Sequence, residues 1–556
     1  MRSGLPQRPG AGPDRRAFLL LDTDGMSATL LALTAAARAM LSPPEVSPAT
    51  LPKPAPAPLR RRKPAGRGLH YSAPPAQRAA DLSLVRPAGA DPAYAGIRLT
   101  DVIGTLSYAL DMSEGQPVGH SVRTAMIGMR IGSLLSLPDE DRSALFYSLL
   151  LKDLGGSSNA AQLSSLFGGD DRALKAARRL IDWTDRGDVA RFAFRHALKG
   201  RSRLVRGWQS LGRWRSPGDA ERAMAATRAE RGAVIAGMLA MPKVTCDAIR
   251  ATEEHWDGNG MPCGLRGESI PLFARIVGLA QTVEVFEQAF GVKTAYEVAH
   301  ARRGRWFDPA LVDALDAFAE DATFWGELRD ADALSALRTC EPPERVVYAN
   351  ELRLDTIAEA FARVIDAKSP FTARHSQNVS FLATRTAMEL DMTSREVRAL
   401  RRAALLHDIG KLGVSSNILD KPASLTAEEM TEMKRHTRFT LEILKGVPRF
   451  ERFAMLAASH HERLDGSGYH IGLAGDELGL SARVLAAADV CEALSGARPY
   501  RAALSLDATM DRLQELVSIG ALCPVAVEAL TGWFTGLPTG PTHITPGGDS
   551  TSLFGI

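Results

Sequence analysis

The sequence predicts an all-α protein built from two copies of one helical domain. Over residues 351–367, apolar side chains recur at i, i+3, i+4 and i+7, the period of a helix with one buried face. No stretch of useful length alternates apolar and polar residues, as a half-buried strand would. Three segments of the first half recur in the same order in the second half, and this repeat is the strongest of the three observations.

Length and composition restrict the class of protein. A chain of 556 residues can hold two to four domains, and 45% hydrophobic with 24% charged residues is ordinary for a globular protein. A net charge of +3 at this size argues against a protein built mainly to bind nucleic acid. Five scattered cysteines without a CxxC pair are typical of reduced cytosolic thiols: Cys246, Cys263, Cys340, Cys491 and Cys523.

Neither a membrane span nor a disulfide framework is expected. The best apolar candidate, residues 17–41, is interrupted by acidic residues and fails the requirement for about 20 apolar residues. We therefore expect a cytoplasmic protein that does not enter a membrane. Residues 1–93 are rich in Pro, Ala and Arg and predict a disordered arm, and residues 537–556 predict a flexible tail.

The repeat assigns residues 94–345 to a first copy and residues 346–536 to a second copy. The matching pairs are GHSVR at 119–123 with RHSQN at 374–378, LLKDLG at 150–155 with LLHDIG at 405–410, and the segment 256–281 with 464–489. His120 precedes Asp153 by 33 residues, as His375 precedes Asp408. The middle interval is longer in the first copy by 47 residues, which predicts an insertion there.

The second copy concentrates side chains that can bind metal. The adjacent pair His407 and Asp408 is followed by His436, by the pair His460 and His461, and by Asp489. Imidazole and carboxylate ligands suit first-row metals. Adjacent residues on a helix point about 100° apart, so one His-Asp pair can face two ions. Two such ions can activate water and bind a phosphate, which makes the chain a candidate metal-dependent phosphohydrolase.

Several separated motifs of the second copy resemble the HD-GYP family, a branch of the HD phosphohydrolases. They are HDIGK at 407–411, HHERLDGSGY at 460–469 and RPYR at 498–501, in the family's order over about residues 350–535. The resemblance implies a helical bundle around a bi- or trinuclear metal centre. It also implies a bacterial phosphodiesterase that hydrolyses cyclic di-GMP to pGpG, GMP or both.

The resemblance also implies residue roles. His375, His407, Asp408 and Asp489 match the ligands of one ion, and His436, His460 and His461, with Asp408 bridging, match those of the other. The expected cofactors are two divalent first-row ions, with Fe or Mn favoured. The expected catalytic residues are Asp408 and Lys411, and the expected substrate contacts are Lys411, Tyr469, Arg498 and Arg501.

Two departures from the family pattern qualify these expectations. His470 stands where the GYP proline would be, which predicts altered substrate or partner contacts. Phe371 stands where trinuclear members carry a glutamate, so a binuclear centre is expected because an apolar ring cannot bind metal. The exact nucleotide therefore stays open at this point.

The first copy has lost most of the ligand set. Lys152 replaces the HD histidine, Thr252–Glu253 replaces the His-His pair, and Gln281 replaces the last aspartate. An ammonium group has no lone pair for a metal, so this copy is expected to bind no catalytic metal. We expect a regulatory, dimerising or substrate-presenting role. The basic segment 195–216 in its insertion is expected to be a solvated or interdomain surface, with binding of RNA, a nucleotide or an acidic partner as the alternative.

Two other functions remain as alternatives. An HD phosphohydrolase acting on another nucleotide fits the same ligands, and a non-catalytic protein could bind a nucleotide or protein partner and signal by shape. The expected partner is cyclic di-GMP or a related nucleotide, without specific nucleic acid or membrane. A protein signalling partner and a homodimer are left open by the sequence.

Overall fold

The computed structural model describes residues 97–167, 169–196, 217–330, 332–447 and 450–535. The predicted arm at 1–93, nearly all of the basic segment 195–216 and the predicted tail at 537–556 lie outside the described residues. In the described part the two copies belong to one unit of structure. The individual domain boundaries remain predictions.

The first copy is a series of α-helices joined by short loops. In chain order they are α1 Leu99–Ser113, α2 His120–Leu134, α3 Asp139–Leu151, α4 Ala160–Phe167, α5 Asp171–Arg179, α6 Arg186–His196, α7 Pro217–Met238, α8 Lys243–Arg250, α9 Leu272–Phe290, α10 Val292–Ala301, α11 Pro309–Asp316, α12 Ala322–Asp330 and α13 Ala333–Cys340.

The second copy continues in the same way. Its α-helices are α14 Glu351–Asp366, α15 His375–Glu389, α16 Ser394–Leu406, α17 Ser416–Leu419, α18 Ala427–Lys445, α19 Glu451–Ala458, α20 Leu480–Ser495, α21 Leu506–Ser518 and α22 Pro524–Thr535. A 3-10 helix, Ile409–Gly413, lies between α16 and α17. Thr426 and Glu429 form the predicted capping box at the start of α18, and the predicted helix over 351–367 is α14.

The all-α prediction is confirmed, with one addition. Among the described residues, β1 (Ile97–Arg98) pairs antiparallel with β2 (Tyr348–Ala349), and Ile97 lies opposite Ala349. These two strands immediately precede α1 and α14, so the pairing joins the starts of the two copies. A strand of two residues is too short to leave an alternating pattern in the sequence, so these strands were not predicted.

The helices reproduce the repeat. Helices α2 and α15 both have 15 residues and both begin at the repeated histidine, while α3 and α16 both have 13 residues. The glycines of the repeated motif make the same close approach: a Cβ on Gly410 would lie 2.0 Å from the His436 carbonyl oxygen. A Cβ on Gly155 would lie 1.9 Å from the Arg228 carbonyl oxygen. Arg228 therefore occupies the place in the first copy that His436 has in the second.

The buried apolar side chains of both copies form one continuous core. Helix α1 of the first copy packs against the 3-10 helix Ile409–Gly413 and against α18 of the second. The five cysteines are all free thiols. Among the described helices, none combines the length and the apolar character that a membrane span requires.

Candidate metal centre

Five segments of the second copy bring the seven predicted ligands to one place. These residues are His375 at the start of α15, His407 and Asp408 after α16, His436 in α18, His460 and His461 after α19, and Asp489 in α20. Six of them are at most 6% exposed, and His461 is half-buried. The predicted ligand set is therefore assembled in space, within a buried environment.

Three histidines are fixed in the form that binds metal through Nε2. In each, Nδ1 lies close to the backbone carbonyl three residues earlier: His407 to Ala404 at 2.7 Å, His436 to Met433 at 2.7 Å and His460 to Ala457 at 2.6 Å. A carbonyl can only accept, so Nδ1 of each ring carries a proton and Nε2 is the nitrogen left to face the other donors. The local helical geometry thus orients each ring before any ligand arrives.

One group of donors lies beside the Oδ2 atom of Asp408. Nε2 of His375 is 3.3 Å from this oxygen and Nε2 of His407 is 3.2 Å from it. Asp489 closes the group, with Oδ1 at 3.4 Å from His375 and 3.7 Å from His407. Two imidazoles and two carboxylates therefore converge on one point.

A second group lies beside the other oxygen of Asp408. Nε2 of His436 and Nε2 of His460 are each 3.6 Å from Oδ1, and they are 3.2 Å from each other. His461 joins these two histidines in a set of donor atoms within 4.8 Å of one another. Asp408 stands between the two groups and offers one oxygen to each, as expected of a bridging ligand.

The site has polar atoms that the protein itself leaves without partners. Oδ1 of Asp408 and Nδ1 of His461 are buried and make no hydrogen bond within the described residues. A buried acceptor without a partner costs about 1–3 kcal/mol, so it calls for a ligand from outside. A divalent cation at each group would satisfy these atoms, and mixed nitrogen and oxygen donors suit first-row metals. The residues present fit metal ions.

The two groups differ in electrostatics. Burial lowers the pKa of His375 and of His407, but the surrounding carboxylates outweigh it and raise the pKa of these groups to about 9 and about 10. Near the second group, burial dominates and lowers the pKa of His436 to about 4. The first group therefore attracts positive charge, and the second offers neutral imidazoles.

Lys411 and Tyr469 lie at the edge of the centre, as their predicted roles require. The Lys411 ammonium is 2.5 Å from Asp408 Oδ2 and its side chain is 21% exposed, so it can reach a phosphate near the centre. The Tyr469 ring lies 4.6 Å from the His461 ring, and the Lys434 ammonium lies 4.8 Å from the Tyr469 ring centre. Burial raises the pKa of Tyr469, so its hydroxyl stays protonated.

The two predicted arginine contacts have different surroundings. Arg498 is 3.0 Å from Glu492 and reaches the Phe371 carbonyl at 3.4 Å, which places it beside the first metal group. Arg501 donates to the carbonyls of Ala493 at 2.7 Å and Leu494 at 3.0 Å, at the end of α20. Its guanidinium therefore serves the helix terminus, and its predicted contact with substrate phosphate stays a prediction.

Two glutamates of the site were missed by the sequence analysis. Glu492 is in contact with Nδ1 of His375 and orients that ring. Glu462 accepts the backbone N–H groups of His470 at 3.1 Å and Ile471 at 2.9 Å, and so holds the loop after Tyr469. A proline at 470 would have no N–H to donate, so the histidine adds a bond to this loop. Repetition was the available signal, since Glu284 and Glu254 recur in the first copy.

In the first copy, the protein's own cations surround the repeated aspartate. Asp153 is 2.7 Å from the Lys152 ammonium and 2.8 Å from the guanidinium groups of both Arg179 and Arg228. Glu114 lies 2.9 Å from the same two arginines. Lys152 and Arg228 stand where the second copy has His407 and His436. Their positive charges would repel a metal ion, which supports the expectation that this copy binds no catalytic metal.

Comparisons with known proteins agree with the motifs and the fold. An HD domain family model matches residues 209–311 and 359–518, in both copies. The 3′3′-cGAMP-specific phosphodiesterase 3 of Vibrio cholerae serotype O1 is 37% identical over 453 residues, 82% of this chain and 98% of the relative. The cyclic di-GMP phosphodiesterase response regulator RpfG of Xanthomonas campestris pv. campestris is 43% identical over 151 residues, 27% of this chain and 40% of the relative.

A solved structure extends the likeness to three dimensions. The crystal structure of a cyclic GMP-AMP specific phosphodiesterase of V. cholerae matches with a TM-score of 0.55 at 34% identity, covering 80% of this chain and 99% of that chain. The motifs, the helical fold and a similarity over 82% of the chain lead to the same assignment: the chain belongs to the HD-GYP family of HD-domain proteins.

Proposed function

We propose that the second copy is a metal-dependent phosphodiesterase that opens a cyclic dinucleotide. The observation that carries the proposal is the pair of donor groups joined by Asp408, whose Oδ1 is buried without a partner. Such an arrangement suits two ions a few ångströms apart, the kind of centre that hydrolyses phosphodiesters. The proposed ligands are those predicted: His375, His407, Asp408, His436, His460, His461 and Asp489.

Bound divalent ions would supply Lewis acidity and lower the pKa of a coordinated water. Asp408 would contribute one oxygen to each donor group, and the histidines would hold their Nε2 atoms toward it. Lys411, at 2.5 Å from Asp408, would place its ammonium beside the phosphoryl oxygens and complement the charge that develops there. The oxygen of water would bond to phosphorus while the bond from phosphorus to the 3′ oxygen breaks, and a proton from water would end on the 3′ oxygen. A linear dinucleotide with a 5′-phosphate and a free 3′-hydroxyl would result.

We favour 3′3′-cGAMP over cyclic di-GMP as the substrate. The relative named for 3′3′-cGAMP aligns over 98% of its length and 82% of this chain, so it shares the arrangement in two copies. The alignment with RpfG, which is named for cyclic di-GMP, covers only 27% of this chain. Cyclic di-GMP, the substrate expected from the sequence, remains the second candidate because RpfG is 43% identical over the 151 residues that align.

The substrate would be held by charge at the edge of the centre. Both candidates carry two phosphates, and Lys411, Lys434 and Arg498 supply cationic groups around the metal ligands. A non-catalytic receptor would have no use for two complete donor groups. The first copy lacks these donor groups, because Lys152 and Arg228 stand where the second copy has His407 and His436.

Turnover and metal content, measured together on the full-length chain, test this proposal. We expect about two first-row ions per chain by elemental analysis, as in two-metal phosphodiesterases. We also expect release of a linear dinucleotide from 3′3′-cGAMP faster than from cyclic di-GMP. Faster release from cyclic di-GMP would reverse the substrate preference. A metal-loaded chain that opens neither compound would refute the proposed function.

A further inference from the structure

A carboxylate of the first copy lies buried against the second. Asp171, the first residue of α5, is fully buried, and its Oδ2 is 2.6 Å from the Lys368 ammonium. Its Oδ1 accepts the backbone N–H of Ser416 at 2.8 Å. Lys368 is 1% exposed, so the two charges neutralise each other out of contact with water. One side chain thus joins two separate segments of the second copy.

Arg172, the next residue along the chain, also contacts this segment, but as a hydrogen-bond donor. Arg172 donates from its guanidinium to the carbonyl of Gly413, the last residue of the 3-10 helix Ile409–Gly413. Asp171 accepts the backbone N–H of Ser416, three residues after Gly413. The two adjacent side chains therefore satisfy an acceptor and a donor in the segment that follows Lys411.

Packing at this point leaves little freedom. A Cβ on Gly413 would lie 2.3 Å from the Met112 side chain of α1, so the first copy touches the backbone there directly. Packing as well as polar contacts therefore hold the backbone at Gly413. Elsewhere between the copies, Ser157 of the first copy donates to the carbonyl of Val364 in α14 at 2.7 Å.

Both segments that Asp171 joins lead into the metal centre. Lys368 lies seven residues before His375, in the loop between α14 and α15. Ser416 lies five residues after Lys411. Next to Lys368, Ser369 donates to Asp420 at 2.5 Å, which ties the two segments together again. A displacement of Asp171 would therefore reach a proposed ligand and the proposed phosphate-binding lysine at once.

We propose that Asp171 and Arg172 are positioning residues, which hold the Lys411 segment and the loop before His375 in their working geometry. The proposal rests on the proposed function, because it assigns these residues to the same active site. Helix α5, which carries both residues and lies in the insertion of the first copy, would then position the active site of the second. The first copy then acts on catalysis through contact within the chain, without binding substrate.

The test compares two isosteric substitutions in the full-length chain, Asp171→Asn and Asp153→Asn. Each removes one buried carboxylate charge next to a buried lysine, but among the described residues the ion pairs of Asp153 join it to Lys152, Arg179 and Arg228 of the first copy. Hydrogen exchange over residues 413–420 is measured by mass spectrometry, alongside kcat, KM and metal content. Exchange reports local opening of the segment whether or not the enzyme is active.

We expect Asp171→Asn to speed exchange over 413–420 and to lower kcat about tenfold, because small displacements of positioned groups are costly in rate. KM and metal content should change less than kcat does, because Asp171 contacts neither substrate nor metal and acts only through the segments that carry His375 and Lys411. Asp153→Asn should leave exchange over 413–420 as in the wild type. Equal exchange and equal kcat for the two variants would overturn the proposal.

Two further outcomes keep the interpretation clear. If Asp171→Asn does not fold, Arg172→Met replaces it, because the Arg172 side chain is 23% exposed and its loss leaves the buried pair intact. Arg172→Met should then show the faster exchange, and wild-type exchange in that variant would overturn the proposal. A wild type without cyclic dinucleotide turnover would refute the proposed function, while the exchange comparison would still decide whether Asp171 holds the segment.

Discussion

The two copies keep the same aspartate and surround it in opposite ways. Asp408 lies among four imidazoles and one ammonium group, that of Lys411, while Asp153 faces the three cationic side chains Lys152, Arg179 and Arg228. The first copy therefore balances its aspartate with side-chain cations, and the second copy surrounds it mainly with imidazoles that suit metal ions. A buried carboxylate can thus be balanced by cationic side chains in one copy, at the position where the other copy has its proposed metal ligands.

The difference also extends to what lies next to the site. In the second copy the segment Gly496–Ser505, with Arg498 and Tyr500, separates α20 from α21. In the first copy a single residue, Gly291, separates α9 from α10. The second copy thus has a loop with exposed and charged side chains beside its candidate metal ligands, and the first copy has α5 beside the corresponding residues.

The largest expected effect comes from removing the repeated aspartate in each copy. Asp408→Ala should lower turnover by about a thousandfold, at the upper end for loss of one group that stabilises developing charge. It should also reduce metal content, because both donor groups share this residue. Asp153→Ala should keep turnover within several-fold of the wild type. Equal damage from both changes, in an assay of the purified chains, would mean that the copies share the chemistry.

The next test compares the glutamates that contact the repeated histidines. Glu492→Gln should weaken metal binding by about 10- to 100-fold, the usual cost of removing a group that orients a ligand. Glu284→Gln changes the equivalent contact to His120 and should leave metal affinity unchanged. Metal-binding titrations of the two variants measure the difference. A similar loss in both would show that Glu492 acts through the stability of the fold.

The arginines of the loop sharpen the comparison further. Arg498→Ala should lower turnover of the cyclic dinucleotide about tenfold, since a hydrogen bond to a charged group contributes about 1.5–3 kcal/mol. A small generic phosphodiester, which cannot reach this arginine, should react nearly as before.

Arg501→Ala serves as the contrast within the same loop. Arg501 donates to carbonyls of α20. We therefore expect the substitution to lower the thermal stability and to change the turnover of both substrates equally. Selective loss of the cyclic substrate in Arg501→Ala would restore its predicted role as a phosphate contact.

The smallest expected effect is the loss of folding stability at acidic pH. Burial opposes ionisation of Glu114, but Arg228 and Lys175 outweigh it and lower its pKa to about 2. A carboxyl with a depressed pKa in the folded state stabilises the fold above its unfolded pKa, and this contribution is lost as the pH falls. Between about pH 7 and about pH 4 it should cost on the order of 1 kcal/mol.

Urea unfolding at the two pH values measures this cost. Glu114→Gln lacks the titrating group, so its free energy of unfolding should fall less than that of the wild type over the same range. If the free energy of unfolding of Glu114→Gln depends on pH as that of the wild type does, protonation of Glu114 does not cause the loss of stability.

The sequence was sufficient for the fold class and for the assembly of the proposed ligands. Helical periodicity and equal spacing survive in the chain, so α14, α18 and the matched helices could be predicted. The capping box at Thr426 and Glu429 placed the start of the helix that carries His436. The roles of the individual residues are still predictions, although their convergence is observed.

The rest depended on contacts that sequence spacing does not encode. Arg228 was missed because the insertion changes the interval to Asp153, so its match with His436 appears only through the close approach of Gly155. The carbonyl partners of Arg501 depend on where α20 ends. Asp171 and Lys368 are 197 residues apart, and no local pattern predicts such a pair.

The buried ion pair between Asp171 and Lys368 has an evolutionary consequence. Gene duplication often allows two copies to separate into independent proteins, each free to diverge. Here, excision of the second copy would expose a lysine that is now 1% exposed and would strip Ser416 of its acceptor. We therefore expect the second copy to be unstable on its own, so that the copy without the full ligand set serves as a covalently attached subunit of the copy that carries it.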